Sequence, residues 1–301
     1  MNPPAFAPTA LADGIQRSIN LDQLVAIRNP QNGSPLFCIH PSGGDIGIYR
    51  KLATRLSTSR SVWGVQSRLE SGAATEHSSL DAMASEYARI IDHQKPTGTI
   101  QLLGFSLGGF IASLITRNLH QSGRRVSFLG LIDSNPSWTA ASDTSRRQLC
   151  VRLTQVFVKF QSIGVMRQKP IAAVERDVAI LVDTILGSDI TSDAVMAKTI
   201  AMGYVPDRQV DSGVLSKFTS TFLAHSRLLK GYEPPQIDCP LHLWWPSETK
   251  TENESGTEIW SGLATEGVSA SVIEGSHYSI MRGQGVRVLA AEIESAIKAS
   301  S

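Results

Sequence analysis

The 301 residues are 42% apolar and 18% charged with a formal net charge of +1, a balance that suits one large α/β domain or two small ones. Near-neutrality removes any electrostatic reason to expect nucleic acid or an acidic membrane surface as a partner. The three cysteines, Cys38, Cys150 and Cys239, are far apart and form no C-x-x-C, so they read as buried thiols of a reducing compartment and not as a disulfide frame or metal site.

Residues 1–20 are rich in Pro and Ala without a sustained period and read as a flexible tail or linker. The first basic residue is Arg17, and Pro3, Pro4 and Pro8 interrupt the start, which argues against a secretory signal. The longest apolar stretch is too short for a membrane span. A cytoplasmic location is the resulting expectation.

Residues 21–27 suit an edge strand, closed by the turn signal Asn29-Pro30-Gln31-Asn32-Gly33. The nearly all-apolar run 35–40 suits a strand buried on both faces of a parallel sheet, and it empties into His40-Pro41-Ser42-Gly43-Gly44. A helix is expected over 48–56, a strand over 61–66, and a long amphipathic helix over 80–95. Next comes the strand 99–103, then Gly104-Phe105-Ser106-Leu107-Gly108-Gly109, then a helix over 110–117. Strand, Gly-x-Ser-x-Gly turn and helix form the context of a nucleophile elbow. There the serine sits in a strained turn, and the flanking glycines supply the clearance.

A further strand, 126–133, ends in Asp133. From about 136 to 232 the strand signal gives way to helical patterns at 149–163, 172–186, 193–202 and 213–230, which read as a helical lid insertion. Strands resume at 241–245 and 270–273, with helices near Ile259 and over 285–298. The alternation predicts an α/β fold, a mostly parallel central sheet with helices on both faces, and the elbow within it resembles that of the α/β-hydrolases, whose fold is therefore expected. The domain is expected to run over 21–301, with chemistry at the carboxyl ends of the strands.

Ser106, Asp133 and His277 stand in the Ser…Asp…His chain order of that fold. A serine hydroxyl needs a base, and the base needs an orienting acid. Of seven histidines, His77, His93 and His120 lie in polar surroundings that suggest solvation, and His242 is inside a strand. His225 falls in the insertion, either as an ordinary helix residue or lining a substrate channel. His277, in a Gly-Ser-His turn after the last strand, is the candidate base. Asp133 is the candidate acid, with Glu248 after the next main strand as its rival. The amides of Leu107 and Ser42 are the candidate oxyanion donors. Gly43, Phe105, Pro136, Trp138, Phe222 and His225 are candidate substrate contacts. No metal-binding motif is present.

Together, Pro35 to Gly44, Gly104 to Gly109, Gly130-Leu131-Ile132-Asp133, Gly231-Tyr232-Glu233-Pro234 and Gly275 to Met281 resemble the type I thioesterases. These are the chain-releasing domains of nonribosomal peptide and polyketide assembly lines. The resemblance implies an acyl, peptidyl or polyketide chain presented on the 4′-phosphopantetheine arm of a carrier protein, with no bound cofactor. It assigns nucleophile, acid and base to Ser106, Asp133 and His277, and implies release by hydrolysis or macrocyclisation. Leu107 resembles the chain-terminating members, whereas Ser276 replaces a common Asp. The sequence is compatible with an excised domain or a discrete protein. The rival readings are an esterase or lipase of free esters and a non-catalytic binding protein of the same fold.

Overall fold

Apolar runs in this chain are too long for one-sided strands, and the fold buries both their faces. The computed structural model describes residues 21–28, 35–57, 59–70, 72–73, 76–136, 169–187, 198, 201–203, 220–222, 224–229, 232–277 and 279–300. Seven strands form one sheet: β1 (Leu24–Arg28), β2 (Pro35–Ile39), β3 (Ser61–Val65), β4 (Ile100–Phe105), β5 (Val126–Ile132), β6 (Leu241–Pro246) and β7 (Val268–Ile273), in the order β1-β3-β2-β4-β5-β6-β7. Only β1 runs antiparallel, against β3. Every residue of β4 and β5 is buried, as expected for central strands covered on both sides.

Side-chain alternation divides the core in two. Phe37, Ile39, Leu102, Leu129, Leu131, Leu243 and Trp245 face one layer, which holds α2 (Leu80–Gln94), α3 (Leu107–Gln121) and Trp260 of α5 (Lys250–Leu263). Leu36, Cys38, Leu103, Phe105, Phe128 and Trp244 face the other, packed by α1 (Arg50–Ala53) and α6 (Gly283–Ala299). Helix α2 starts where the Ser79 hydroxyl accepts the Ala82 N–H at 3.0 Å, an N-cap. Cys38 and Cys239 are free, buried thiols, and burial pushes Cys239 up to about 12. Cys150 lies outside the described residues.

Several boundaries differ from expectation, among them that of α3, which spans Leu107–Gln121 where a helix is expected over 110–117. Residues 21–23 form a 3-10 turn and not the start of β1, because the buried Gln23 turns inward to pair with Glu86. The helix expected over 48–56 is a 3-10 turn, Gly47–Tyr49, followed by the short α1; there the Thr54 hydroxyl bonds back to the Lys51 carbonyl at 2.9 Å. Strand β7 starts at Val268, two residues before the expected 270.

Between β5 and β6 lies the insertion. Helix α4 (Ile171–Gly187) occupies the span expected at 172–186, and residues 220–222 and 224–228 are helical within the expected 213–230. The helix expected at 149–163, the tail 1–20 and most of 193–202 lie outside the described residues. Among the described residues no helix is long and apolar enough to cross a membrane.

Helix α3 can press against the end of β2 only because residue 108 lacks a side chain. A Cβ there would collide with the carbonyl oxygens of Ile39 and His40, the latter at 2.8 Å. At Gly262, on the open side of α5, a Cβ meets nothing within 4 Å. Gly108→Ala is therefore expected to lower stability by about 1–3 kcal/mol, as overpacking against backbone does. Gly262→Ala should raise it by about 0.5–1 kcal/mol through helix propensity. Urea unfolding of both variants checks the pair.

Candidate functional site

Parallel strands bring their carboxyl ends to one rim, and four of the loops leaving that rim carry the residues singled out by sequence. At the end of β4 the chain turns sharply through Ser106, at φ 57° and ψ −125°. Among the described residues the only non-glycine positions at positive φ are Ser106 and Asp133, the latter at 44°. Such a conformation costs about 1–3 kcal/mol and persists only where surrounding contacts over-determine it. Here they do. The Ser106 N–H donates to Ile132 O at 2.9 Å, while its carbonyl accepts from Gly109 N at 3.0 Å and from the Ser134 hydroxyl at 2.7 Å.

Glycine 104 makes room for the elbow, since a Cβ there would strike the Gly108 backbone. Leu107 opens α3, so its N–H has no carbonyl four residues back within the helix. The positive end of the helix dipole falls at the same place.

At the end of β2 the loop His40-Pro41-Ser42-Gly43-Gly44 closes on itself through Gly44 N to Pro41 O at 2.9 Å. Gly44, at φ +78°, sits so tightly that a Cβ would meet the Ser67 hydroxyl at 2.5 Å and the Thr221 methyl at 2.7 Å. Tyr49 stitches this loop to the elbow. Its hydroxyl donates to Ile39 O at 2.7 Å and accepts the Phe105 N–H at 2.9 Å, and burial raises its pKa well above the ordinary phenol value.

At the end of β5 the Asp133 N–H donates to Trp244 O at 2.8 Å, and the buried Asp133 carboxylate pairs through Oδ2 with His277 Nδ1. Among the described residues no hydrogen bond reaches Asp133 Oδ1. The His277 ring stacks on Phe105, the residue preceding Ser106, with centroids 4.6 Å apart. The loop carrying His277 is braced from β6, where the Ser247 hydroxyl accepts the Gly275 N–H at 3.1 Å and Glu248 N donates to Gly275 O at 3.2 Å. Glu248, the rival acid, is exposed and its backbone serves this brace.

The candidate substrate contacts differ in burial. Phe105 is 1% exposed and lies beneath the His277 ring, because β4 is central and covered on both faces. Pro136 and Phe222 are buried, and Gly43 is half-buried on its loop. Trp138 lies outside the described residues. His225 is 0% exposed, with Nδ1 2.8 Å from Ser42 O.

His77 is not solvated but buried, with Nδ1 2.6 Å from Glu76 Oε1. His242 is half-buried, stacks on Phe128 at 5.1 Å and pairs with the Ser269 hydroxyl at 2.6 Å. Tyr49 and Ser134 were absent from the sequence candidates, as nothing local marks a tyrosine or serine that serves a distant backbone. No group of three or more His, Cys, Asp or Glu among the described residues could hold a metal ion.

Residues 34–297 match the family of thioesterase domains. The chain is 35% identical over 117 residues to a dimodular nonribosomal peptide synthase of Bacillus subtilis (strain 168), covering 39% of this chain and 5% of that protein. It is 33% identical over 123 residues to enterobactin synthase component F of Escherichia coli (strain K12), covering 41% of this chain and 9% of that protein. The chain thus spans a small part of the length of these relatives. Of solved structures, the NocB thioesterase domain from the nocardicin cluster aligns with a TM-score of 0.61 at 18% identity over 92% of this chain and 99% of that one. The Vlm2 thioesterase domain aligns with a TM-score of 0.61 at 19% identity over 90% of this chain and 96% of that one. At these identities the likeness carries the fold, that of the α/β-hydrolase thioesterase domains.

Replacing Tyr49 by Phe keeps the ring in its packing but strands the buried Phe105 N–H and removes one bond from Ile39 O. A loss of about 1–3 kcal/mol is expected from leaving a buried donor unsatisfied. Urea unfolding with an unchanged m-value checks it.

Proposed function

Because the chain belongs to the thioesterase domain family, we propose that it releases an acyl chain from a carrier protein through an ester on Ser106. The observation that carries this reading is the pairing of backbone strain with chemistry. Among the described residues, the two non-glycine positions at positive φ are the elbow serine and the carboxylate that holds His277. Strain of that kind concentrates at active sites.

In the proposed cycle His277 takes the Ser106 hydroxyl proton as the oxygen forms a bond to the thioester carbonyl carbon. The carbonyl π electrons move onto oxygen, where the N–H groups of Leu107 and Ser42 receive the negative charge. Collapse breaks the carbon–sulfur bond, and the imidazolium returns its proton to the departing thiolate. Asp133 fixes the imidazole with Nδ1 protonated and stabilises the imidazolium. Water, or a hydroxyl or amine of the chain itself, then attacks the ester on Ser106 by the same steps in reverse order. Hydrolysis and ring closure share this intermediate.

One named relative is a nonribosomal peptide synthase and the other a component of enterobactin synthase, which supports a thioester on the phosphopantetheine arm of a carrier protein as the substrate. The insertion between β5 and β6 is proposed as the lid over that acyl chain. The domain is proposed to span 21–301, with residues 1–20 as a tail or linker.

An alkyl fluorophosphonate is expected to add once to the protein, on Ser106, and to leave Ser106→Ala unmodified, as read by intact and peptide mass spectrometry. Asp133→Asn should lower kcat on an N-acetylcysteamine thioester about 10⁴-fold, as loss of the orienting carboxylate does. Glu248→Gln should change it less than about 2-fold, since an exposed side chain contributes little. A wild-type chain that stays unlabelled sinks the reading. Equal turnover of free aryl esters and carrier-tethered acyl chains would instead favour the esterase.

A further inference from the structure

Behind the loop that follows β2 lies a buried polar cluster that the proposed chemistry does not use: His40, Glu76, His77, Tyr87 and His225, with Gln23, Arg68 and Glu86 at its outer side. Its hydrogen bonds fix its protons. His225 Nδ1 stands 2.8 Å from the carbonyl oxygen of Ser42, which can only accept, so Nδ1 carries a hydrogen. His225 Nε2 stands 3.1 Å from Glu76 Oε2.

Burial alone would raise the Glu76 carboxyl, but hydrogen bonds from His225 and His77 outweigh it and hold the group well below the usual carboxylate range. Facing a carboxylate, Nε2 donates as well. The His225 ring is then an imidazolium between a carboxylate and a peptide carbonyl. Glu86 has its own partner in Arg68, with Nη2 to Oε2 at 2.9 Å.

His40 is the complement. Its Nδ1 donates to Pro41 O at 2.9 Å, and its Nε2 accepts from the Tyr87 hydroxyl at 2.8 Å, which makes the ring neutral. Burial, and then the nearby charge of His225, push its pKa down to about 3. The two imidazoles stack with centroids 4.9 Å apart and planes 18° apart.

The geometry points to His225 as a positioning residue for the reaction at Ser106: with Glu76 behind it and His40 stacked on it, it holds the Ser42–Gly43 peptide, while His40 and Gly44 hold the Pro41–Ser42 one. A peptide is planar and trans, so the direction of a carbonyl sets that of the N–H on its far side. Pro41 O is held by Gly44 N and by His40, which aims the Ser42 N–H; Ser42 O is held by His225, which stops rotation on the other side. Thr221, one helical turn before His225, presses on Gly44 from the same segment. The last helical stretch of the insertion thus sets the loop that the proposed mechanism uses as an oxyanion donor.

This inference rests on the proposed acyl transfer, and its test has an arm independent of activity. In a two-bond ¹H–¹⁵N spectrum of the full chain labelled with ¹⁵N-histidine, the ring signals lost in His225→Asn belong to His225. Both nitrogens are expected to be protonated near neutral pH; a neutral His225 ring overturns the clamp whether or not the protein is active.

The second arm is kinetic. Asn can keep the donor to Ser42 O, whereas Gln reaches toward Glu76 and gives it up. With an N-acetylcysteamine thioester, His225→Asn should keep kcat within about 3-fold, while His225→Gln should lose about 10–100-fold at unchanged KM, a part of what one oxyanion donor supplies. Loss of kcat in Asn as large as in Gln, or none in either, overturns the assignment. Absence of Ser106 phosphonylation in the wild type would strike the proposed function and leave the spectrum to judge the clamp.

Discussion

Ser106 is held in a backbone region that residues with a side chain avoid, and the surrounding architecture follows from keeping it there. The strain of about 1–3 kcal/mol is offset by three hydrogen bonds to the residue's own N–H and C=O, each with a net value of about 0.5–1.5 kcal/mol. Those bonds come from β5, from α3 and from Ser134, so the turn cannot relax without loosening the central sheet. The glycines on either side are the steric condition, because Gly104 and Gly108 touch across the elbow and Gly108 touches the end of β2. Tyr49 is the polar counterpart, using one hydroxyl to serve a backbone group on each of two adjacent strands.

The large outline was legible because it is written in local signals. All-apolar runs mark central strands, glycines at fixed spacing mark the elbow, and parallel strands must present their ends together. That logic placed Ser106, Asp133 and His277 on one rim, and the structure joins the last two. It failed where partnership is tertiary. Glu76 and His225 are 149 positions apart, and nothing near His77 foretells that a polar loop will fold inward against Tyr87. For Phe105 the sequence signal is weaker for a different reason: in a strand buried on both faces, alternation says which residues share a layer but not which of them reaches an open surface.

The buried charges behind Ser42 are poor candidates for a stabilising feature. Removing an ion pair from water costs about as much as its attraction returns, and apolar packing often does as well. What such a pair supplies is direction. A carbonyl and a carboxylate on opposite nitrogens leave an imidazole one orientation, whereas an apolar side chain there would leave the Ser42 peptides free to turn. The adjacent core of Met83, Tyr87 and Ile39 excludes water and sharpens that preference.

The loop bearing His277 hangs from β7, the outermost strand, which bonds to β6 alone among the described strands and leaves Val272 58% exposed. Ser106 grows instead from β4, buried along its whole length. Fraying begins at such margins, at a free energy well below that of global unfolding. On the proposed chemistry, mild warming or dilute denaturant loosens the loop bearing His277 before β4, and activity becomes a gauge of the rim's cohesion, blind to the solidity of the centre.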